Sequence, residues 1–528
     1  MEQTETPEML KVRNALLKKQ QKVSSKVVAR EMCSIMSKGT RTFCHLDDMS
    51  ILEAASGGNS NSLLLCVKEM PIESFADAAV SGANDGQGQE QEQRQEHGDA
   101  VVEYGLCFID PILCTVTLAQ FQDDLLRNRL RTVLALHQPT EVLLERDAHS
   151  RETEGALRLL APEASVVSLR GAEMPSAGAD TVRLLEEGLY FKDSLYPPVL
   201  QASIAGLADG SSRLVMAALG GTVKFLQRSL IDFEVLSHGR CYAYIPPDLP
   251  EPETQLAESQ PCGSGSASAA WVDVGVDLIT SPPVTDTSTG SSSSSSSGSS
   301  NSSSARKHMV LDAITMTNLE ILVNTFDHTE KGSLWGFMNH CRTPFGCRLL
   351  KDWVCKPLFD VRDINRRSAA VEELMVVFSA EANQVRGLLK GCPDVERLLS
   401  RVHANGLKKR SEGGRDHPEM RAIMYENPKY NMRKIRDFMD LLAGFDILVK
   451  ACETLGPAVL ASAESPLLRM AAAPSTGETH SPIQGKFPLE EMKSLLSFFR
   501  DLFDEKQAKR DGFMRPRPGK DADYDEAK

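Results

Sequence analysis

The sequence lacks cysteine pairs at the spacing of a metal site, and it lacks long apolar runs. Its twelve cysteines are scattered, with no C-x-x-C and no histidine pair at ligand spacing, so we do not expect zinc. The longest apolar runs, such as Leu214–Leu219, are far too short to span a membrane. The N-terminus "MEQTETPEML" has no apolar core of a secretion signal. These absences predict reduced thiols and a cytosolic or nuclear compartment, without a membrane partner.

The sequence also lacks the motifs of a nucleotide site and of a catalytic triad. None of its short glycine–lysine stretches has the G-x-x-x-x-G-K-[ST] spacing that cradles phosphates; they are Gly220–Lys224, Gly485-Lys486 and Gly519-Lys520. His137 and His403 have no serine or cysteine partner that the sequence identifies. We therefore expect no catalytic residue, no bound cofactor and no metal in this chain.

Two low-complexity stretches divide the 528 residues, a length that predicts about three or four domains. The first is a Gly/Gln/Glu-rich insert at 81–100, and the second runs from about Pro247 to Lys307 and contains "SSSSSSSGSSNSSS". Because such segments have few groups to bury, we expect them to be disordered. The net charge of −13 argues only mildly against nucleic-acid binding, since much of the acidity lies in such inserts.

Between the two stretches the pattern predicts a mixed α/β domain. "YGLCFID" (Tyr104–Asp110) and "CTVTLAQF" (Cys114–Phe121) are rich in strand formers and are separated by a gap short enough for a hairpin. An amphipathic helix should follow, opened by Asp123 or Asp124 and ending before Pro139. Its apolar residues, which we expect to face inward, are Leu125, Leu126, Leu130, Val133 and Leu134. Glu141–Glu145 and Ser165–Leu169 read as buried strands, and Arg213 to Leu236 as a long helix.

After the second stretch the pattern becomes almost purely helical. In "TPFGCRLLKDWVCKPL", Thr343 is a good N-cap and Pro344 suits the first helical position. The spacing predicts one inward face, made by Phe345, Leu349, Leu350 and Trp353. In "CPDVERLLSRVHANG", Leu398 and Leu399 are predicted to face inward as well. These six residues are the predicted structural core of a helical domain.

Two further patterns could carry chemistry. Asp110 ends a strand of a sheet that resembles an RNase H-like sheet, where nucleases need several carboxylates around two metal ions; Glu141 and Glu145 are the other candidates. A turn-forming aspartate beside Pro111 is the favoured interpretation. The basic run near the N-terminus predicts either phosphate contacts with DNA or a solvated helix face; its candidate residues are Lys11, Arg13, Lys18, Lys19 and Lys22.

Several segments together resemble the MutS family of DNA mismatch-repair proteins. They are "EQTETPEM", "YGLCFIDPILCTVTLAQFQDD", "MVLDAITMTNLEIL" (Met309–Leu322), "TPFGCRLLKDWVCKPLFDVRDINRR", "CPDVERLLSRVH", "HPEMRAIMYE" (His417–Glu426) and "DADYDEAK". Several motifs in the family's order are more specific than any single motif. The resemblance covers most of the chain outside the two low-complexity stretches.

The resemblance implies a multidomain chain. Residues 1–44 would be the tail of a mismatch-binding domain, and 45–246 an RNase H-like connector that is not catalytic. Residues 247–308 would be a disordered linker, and 309–528 an all-α core and lever domain that stops before the DNA-gripping clamp. A base-stacking Phe-x-Glu and the Walker ATPase would lie outside this chain. Phe503-Asp504-Glu505 is better explained as part of an amphipathic helix.

The implied function is that of the complete parent protein. It would be a nuclear, mismatch-binding, ATP- and magnesium-dependent subunit that pairs with a second MutS homologue. Mismatched duplex DNA, MutL-type factors and clamp-type repair factors would be its further partners. The alternatives are a non-enzymatic adapter that docks on proteins and, more weakly, a metal-dependent nuclease that uses Asp110.

Overall fold

The computed structural model describes two well-defined regions and several short N-terminal pieces. The described residues are 2–4, 11, 14–15, 18, 30–32, 37–40, 62–72, 102–175, 178–191, 195–249, 308–327, 329–406, 428–472, 489–520 and 525. We call residues 62–249 the sheet domain and residues 308–520 the helical domain. Within these ranges, no helix has the length and the apolar character needed to cross a membrane.

The sheet domain is built on a six-stranded mixed sheet in the order β7-β6-β3-β4-β5-β8. Only β4 runs antiparallel to its neighbours, because the β3–β6, β6–β7 and β5–β8 pairs are all parallel. The strands are β3 (Leu64–Pro71), β4 (Val102–Asp110), β5 (Thr115–Asp123), β6 (Glu141–Glu145), β7 (Ser165–Leu169) and β8 (Arg240–Ala243). A separate antiparallel pair joins β1 (Glu2–Thr4) to β2 (Arg30–Met32).

Helices cover both faces of this sheet and produce two apolar cores. On one face α5 (Arg213–Ser229) packs against β3 and β4, and the core there includes Met216 and Leu219. On the other face α1 (Asn128–His137) and α2 (Arg151–Leu160) contribute Leu130, Val133 and Leu157 to a second core. The helices are α1 (Asn128–His137), α2 (Arg151–Leu160), α3 (Gly178–Gly188), α4 (Pro198–Ala205), α5 (Arg213–Ser229) and α6 (Asp232–Leu236).

The strands predicted from the sequence are present, with β4 and β5 forming the expected hairpin. The prediction that Ser165–Leu169 is buried was wrong, because β7 lies at the edge of the sheet and Val166 is 53% exposed. Two helix predictions were wrong: that α1 starts at Asp123 or Asp124, and that one long helix runs from Arg213 to Leu236. Leu125 and Leu126 precede α1 and are 66% and 63% exposed. The buried carboxylate of Asp123 accepts hydrogen bonds from the N–H groups of Arg129 and Leu130, which places the helix start later. The predicted helix from Arg213 onward is interrupted at Leu230, whose φ of 61° is left-handed.

The helical domain contains ten helices among its described residues. They are α7 (Ala313–Asn318), α8 (Leu334–Met338), α9 (Pro344–Cys355), α10 (Val361–Val376), α11 (Ser379–Leu389), α12 (Val395–Gly406), α13 (Pro428–Ser462), α14 (Pro466–Ala472), α15 (Leu489–Leu502) and α16 (Glu505–Asp511). α9 begins as predicted: the side chain of Thr343 accepts a hydrogen bond from the Gly346 N–H, and Pro344 occupies the first turn.

The predicted inward face of α9 does not exist as one buried surface. Phe345 packs with Leu398 and Leu399 in the cluster between α12 and α13, whereas Leu350 belongs to a different cluster around Trp335. Leu349 is 38% exposed. Trp353 lies under the guanidinium of Arg367, 4.0 Å from its ring centre. α9 therefore lies between two clusters, so its apolar residues divide between them.

The Phe503-Asp504-Glu505 segment lies at a helix break and not within one long helix. Phe503 is buried among Ile435, Met439 and Ala508. Asp504 caps α16 by accepting hydrogen bonds from two backbone N–H groups. The predicted role of Phe503 as a core residue is thus confirmed, although α15 ends just before it. The insert at 81–100 and residues 250–307 of the predicted linker lie outside the described residues.

Candidate functional site: the domain interface

The turn between β4 and β5 presents a backbone carbonyl to the helical domain. The Asp110 Oδ1 atom accepts hydrogen bonds from the N–H groups of Ile112 (2.8 Å) and Leu113 (3.0 Å), which fixes the turn. The carbonyl of Leu113 then accepts from Arg240 Nη1 (3.1 Å) and from Ser400 Oγ (3.2 Å). Arg240 lies on β8 and Ser400 on α12. One backbone oxygen therefore joins the two domains.

The carboxyl group of Asp110 lies near arginines of the helical domain. Burial raises the pKa of this carboxyl, and its two backbone hydrogen bonds together with the nearby Arg397 and Arg348 oppose that effect. Both arginines belong to the helical domain. The favoured interpretation of Asp110 as a turn-forming aspartate is thus confirmed.

Arg348 holds the first turn of α12 against α9. Its guanidinium donates two parallel hydrogen bonds to Asp394, at 2.8 and 2.7 Å, and its Nε donates to Glu396 at 3.0 Å. Burial alone would lower the pKa of Arg348, but Asp394 and Glu396 raise it above its usual value. The side chains of Arg348 and Asp394 are only 23% and 17% exposed. This two-pronged geometry fixes α12, and with it Ser400, in position.

Two histidines meet at the edge of the same interface. His403 Nδ1 lies 3.2 Å from His238 Nε2, so one ring donates and the other accepts. Burial, the neighbouring His403 and Arg240 together lower the pKa of His238 to about 3. His238 is therefore neutral at physiological pH. His403, predicted to lie in a turn, lies in the last turn of α12.

A second contact zone between the domains is apolar. Ala135 and Leu136 of α1 pack against the cluster that contains Met316, Ile321 and Trp335. Next to them, the ring of His137 lies 4.8 Å from Phe108 and 5.7 Å from Tyr244, measured between ring centroids. Burial and the nearby Lys356 lower the pKa of His137 to about 3. The two domains thus meet through one polar zone and one apolar zone.

Ser400→Ala is expected to loosen the polar zone. The change removes a donor to the Leu113 carbonyl from a side chain that is almost fully buried, which should cost about 1 kcal/mol of unfolding free energy. Urea denaturation measures that loss, and hydrogen exchange should rise in the β4–β5 turn. Ser497→Ala on the exposed face of α15 is the matched control and should change little. Equal effects of the two variants would contradict the assigned role of Ser400.

Stability should fall in mild acid because of His137 and His238. Each has a folded pKa of about 3, below its usual 6.5, so the folded state binds fewer protons than the unfolded state. Their contribution is complete above pH 6.5 and is lost as the pH falls from 6.5 toward 3. At pH 5.5 each should stabilise the fold by about 1 kcal/mol less than at neutral pH. Urea denaturation across this pH range measures the unfolding free energy, which should fall less steeply with decreasing pH in His238→Gln than in the unchanged chain. An equal fall in both chains would contradict the low pKa of His238.

The residues proposed for a nuclease do not converge. Glu141 accepts hydrogen bonds from the Ser37 hydroxyl and the Gly39 N–H, and Glu145 pairs with Lys68. Asp110 caps its own turn. Within the ranges that the structure describes, no three His, Cys, Asp or Glu side chains are placed to hold a metal ion. The geometry therefore offers no support for the nuclease alternative.

The predicted phosphate contacts are only partly described. Lys11 and Lys18 are helical and exposed; Arg13, Lys19 and Lys22 lie outside the described residues. Sequence reasoning missed the domain interface, because its central acceptor is a backbone carbonyl. No residue type marks such an acceptor. Arg240 stands in none of the quoted motifs, and Ser400 lies in "CPDVERLLSRVH" without any pattern that marks it as a donor to another domain.

Comparison with known proteins places these two domains in one family. The family model for MutS domain II matches residues 94–239, within the sheet domain. The model for MutS domain III matches residues 314–504, within the helical domain. The two matches fall on either side of the interface described above, in a single chain.

Curated relatives align along the whole chain. The DNA mismatch repair protein Msh6 of Homo sapiens is 33% identical over 548 aligned positions, covering 100% of this chain and 34% of the relative. Msh6 of Gallus gallus is 32% identical over 546 positions, with the same coverage. The probable Msh6 of Drosophila melanogaster is 30% identical over 538 positions, covering 100% of this chain and 37% of the relative.

The chain belongs to the MutS family, which confirms the resemblance found in the sequence. It spans about a third of the length of the curated relatives it matches. The predicted organisation into an α/β domain followed by a helical domain agrees with the two domain models. The predicted domain boundaries at residues 44, 246 and 308 stay predictions.

Proposed function

We propose that this chain forms the connector and core part of the mismatch-sensing subunit of a MutS-type heterodimer in DNA mismatch repair. The observation that carries the proposal is the alignment of the whole chain, through both MutS domains, with proteins named Msh6. The proposed partners are a second MutS homologue and mismatched duplex DNA, with MutL-type and clamp-type repair factors as further partners. The proposed location is the nucleus.

The topology of the sheet domain supports an RNase H-like connector. Counted along the chain, its first five strands lie in the order third, second, first, fourth, fifth, and only the second strand is antiparallel. Its carboxylates Asp110, Glu141 and Glu145 are each engaged in separate contacts. These features support a connector whose role is to position other parts and not to cut DNA.

The domain interface supports a role in transmission between sites. In the proposed cycle, mispaired DNA is held first because a mispair costs less to unstack and bend. ATP binding elsewhere in the complete protein then shifts the core and the connector. A contact made of one carbonyl, one arginine and one serine can break and re-form without opening either apolar core. ATP and magnesium belong to the complete protein, and we expect no ATP hydrolysis by this chain alone.

Disruption of the gene that encodes this chain, in cells that naturally carry it, tests the proposal. If the chain is part of a mismatch-repair subunit, the disrupted cells should have a higher spontaneous mutation rate than undisrupted cells. The increase should be largest for single-nucleotide insertions and deletions in mononucleotide runs. Reintroduction of the intact gene should restore the original rate. An unchanged rate and an unchanged spectrum would overturn the proposal.

The adapter alternative is favoured by exposed apolar side chains in the helical domain. Phe326 is 96% exposed, Phe337 79% and Met375 71%, and exposed apolar groups of this size can mark protein-binding surfaces. An adapter should bind a second MutS homologue and ignore DNA. The sensor part should also bind duplex DNA, with an affinity that falls as salt rises.

Charge reversal in the basic run near the N-terminus distinguishes these two functions. Lys18→Glu, alone or with Lys19→Glu, should weaken duplex binding and reduce its salt dependence if the basic run contacts phosphates. Lys331→Glu, at another exposed position, is the matched control and should leave binding unchanged. Partner binding without any measurable DNA binding by the folded chain would favour the adapter.

A further inference from the structure

Two thiols lie side by side at the start of α9. Cys341 stands two residues before the N-cap Thr343, and Cys347 lies in the first turn of the helix. The side-chain oxygen of Asn339 accepts from the Cys341 N–H and from the Cys347 thiol, each at 3.4 Å. The two thiols also contact each other directly. Both cysteines are partly exposed to solvent.

We propose that Cys341 and Cys347 are a modification site at which a low-molecular-weight disulfide of the glutathione class reversibly forms an intrachain disulfide. The proposal is independent of the function proposed above. It rests on the contact between the two thiols, on the Asn339 oxygen that accepts from both the Cys341 backbone and the Cys347 thiol, and on the access of both residues to solvent.

The backbone geometry favours this bond. At many helix starts, the residue before the N-cap packs against the fourth helical residue, and here Cys341 and Cys347 occupy a nearly equivalent pair of positions. The first turn of α9 passes close to Cys341, because a Cβ atom built on Gly346 would lie 3.9 Å from the Cys341 Cβ. A disulfide needs Cβ atoms about 3.5–4.5 Å apart. The first turn of α9, in which Cys347 lies, thus runs directly beside Cys341.

The exchange needs no reactant beyond the small disulfide. The Cys347 thiolate attacks one sulfur of glutathione disulfide, forms a mixed disulfide and releases one glutathione thiolate, which takes up a proton. The Cys341 thiolate then attacks the Cys347 sulfur and releases the second glutathione. In total, two protein thiols are oxidised and one glutathione disulfide is reduced to two glutathione thiols.

The surroundings make this a slow exchange. Burial and the adjacent Cys347 raise the pKa of the Cys341 thiol, so little thiolate is present at neutral pH. Reactive peroxide sensors have lowered thiol pKa values instead. We therefore expect the pair to follow the ratio of glutathione disulfide to glutathione and not to respond quickly to peroxide.

A second thiol pair provides an internal comparison. Cys66 and Cys107 face each other across β3 and β4, but both are fully buried. Burial raises the pKa of Cys66 to about 12 and that of Cys107 further. Proximity is thus common to both pairs, but of the two pairs only Cys341 and Cys347 are accessible to solvent.

Oxidation should stabilise the contact that Arg348 makes. Arg348 follows Cys347 directly and holds Asp394 and Glu396 of α12. A disulfide would fix the turn from which this arginine projects. We expect the oxidised chain to unfold at a higher temperature than the reduced chain, with slower hydrogen exchange at the start of α12.

The test uses the full chain in glutathione buffers of graded ratio, followed by acid quenching, alkylation and tryptic peptide mapping. Trypsin cuts after Arg342, so the bond should link the peptide Gly332–Arg342 to the peptide Thr343–Arg348. We expect this linked pair to increase with the disulfide fraction and to disappear after reduction. Peptides carrying Cys66 and Cys107 should remain reduced. In Cys347→Ser, the link should be absent and the unfolding temperature should not respond to oxidation.

Three results would contradict the proposed disulfide between Cys341 and Cys347. The inference is wrong if both cysteines stay reduced in the folded chain at every ratio, or if they pair with other cysteines instead. It is also wrong if the link forms only after the chain has been unfolded by urea. Circular dichroism of the Cys347→Ser chain establishes that the variant is folded before its data are used.

Discussion

Gly105→Ala is expected to lower the unfolding free energy of the sheet domain by about 3 kcal/mol or more. Gly105 lies in β4, where α5 crosses the sheet so closely that a Cβ atom would lie 2.1 Å from the Leu214 carbonyl carbon and 2.5 Å from the Val215 nitrogen. These are backbone atoms, which cannot turn aside as a flexible side chain would. Relief therefore requires α5 to move away from β4, with loss of contacts in the core beneath it.

Gly155→Ala is the matched control for this prediction. Gly155 lies on the exposed side of α2, and nothing lies within 4 Å of an added Cβ. Because alanine favours a helix over glycine, this change should stabilise the protein by about 0.5–1 kcal/mol. Urea denaturation monitored by circular dichroism measures both variants. A Gly105→Ala chain as stable as the Gly155→Ala chain would show that α5 does not cross β4 as described.

Arg348→Ala is expected to lower the unfolding free energy of the helical domain by about 2–4 kcal/mol. Removal of one partner from a buried ion pair costs about 3–5 kcal/mol, and the partial exposure of Arg348 reduces that range. The variant leaves Asp394 without its two-pronged donor and frees the first turn of α12. Ser400 sits on the same helix, so the domain interface should loosen as well.

Two further substitutions distinguish the contribution of the Arg348 charge from that of its paired hydrogen bonds. Arg348→Lys keeps the charge but loses the parallel pair of hydrogen bonds, so it should recover only part of the loss. Arg158→Ala removes an exposed helix pair with Glu154 and should cost less than about 0.5 kcal/mol. Urea denaturation measures the unfolding free energy of each variant, and hydrogen exchange measures the opening of α12. An Arg348→Ala chain as stable as Arg158→Ala would contradict the role given to Arg348.

Local pattern was enough to predict β4 to β7, because their apolar runs and the short hairpin gap leave few alternatives, although it did not identify β3 at the centre of the sheet or β8 at its edge. It failed where a single side chain overrides the pattern. Asp123 delays the start of α1, so Leu125 and Leu126 lie in an exposed turn. In α10, Ile364 and Val371 fit an inward face by spacing but are 41% and 49% exposed. Periodicity identifies an apolar face, but it does not say what covers it.

The domain interface could not be predicted at all from the sequence. The Leu113 carbonyl, Arg240 and Ser400 come from three distant parts of the chain, and their meeting depends on how the domains pack. Asp110 illustrates the opposite case, since a strand-end aspartate before Pro111 predicts a turn and the structure has one. The family, by contrast, followed from the order of several motifs, which local physics alone does not supply.

The most direct test of the account is the mutation rate of cells whose own gene carries Gly105→Ala or Gly155→Ala. If the described fold supports mismatch repair, Gly105→Ala should raise the rate of insertions and deletions in mononucleotide runs toward that of the disrupted gene. Gly155→Ala should leave the rate unchanged. If Gly105→Ala depletes the folded protein and the mutation rate still does not rise, the proposed function is wrong.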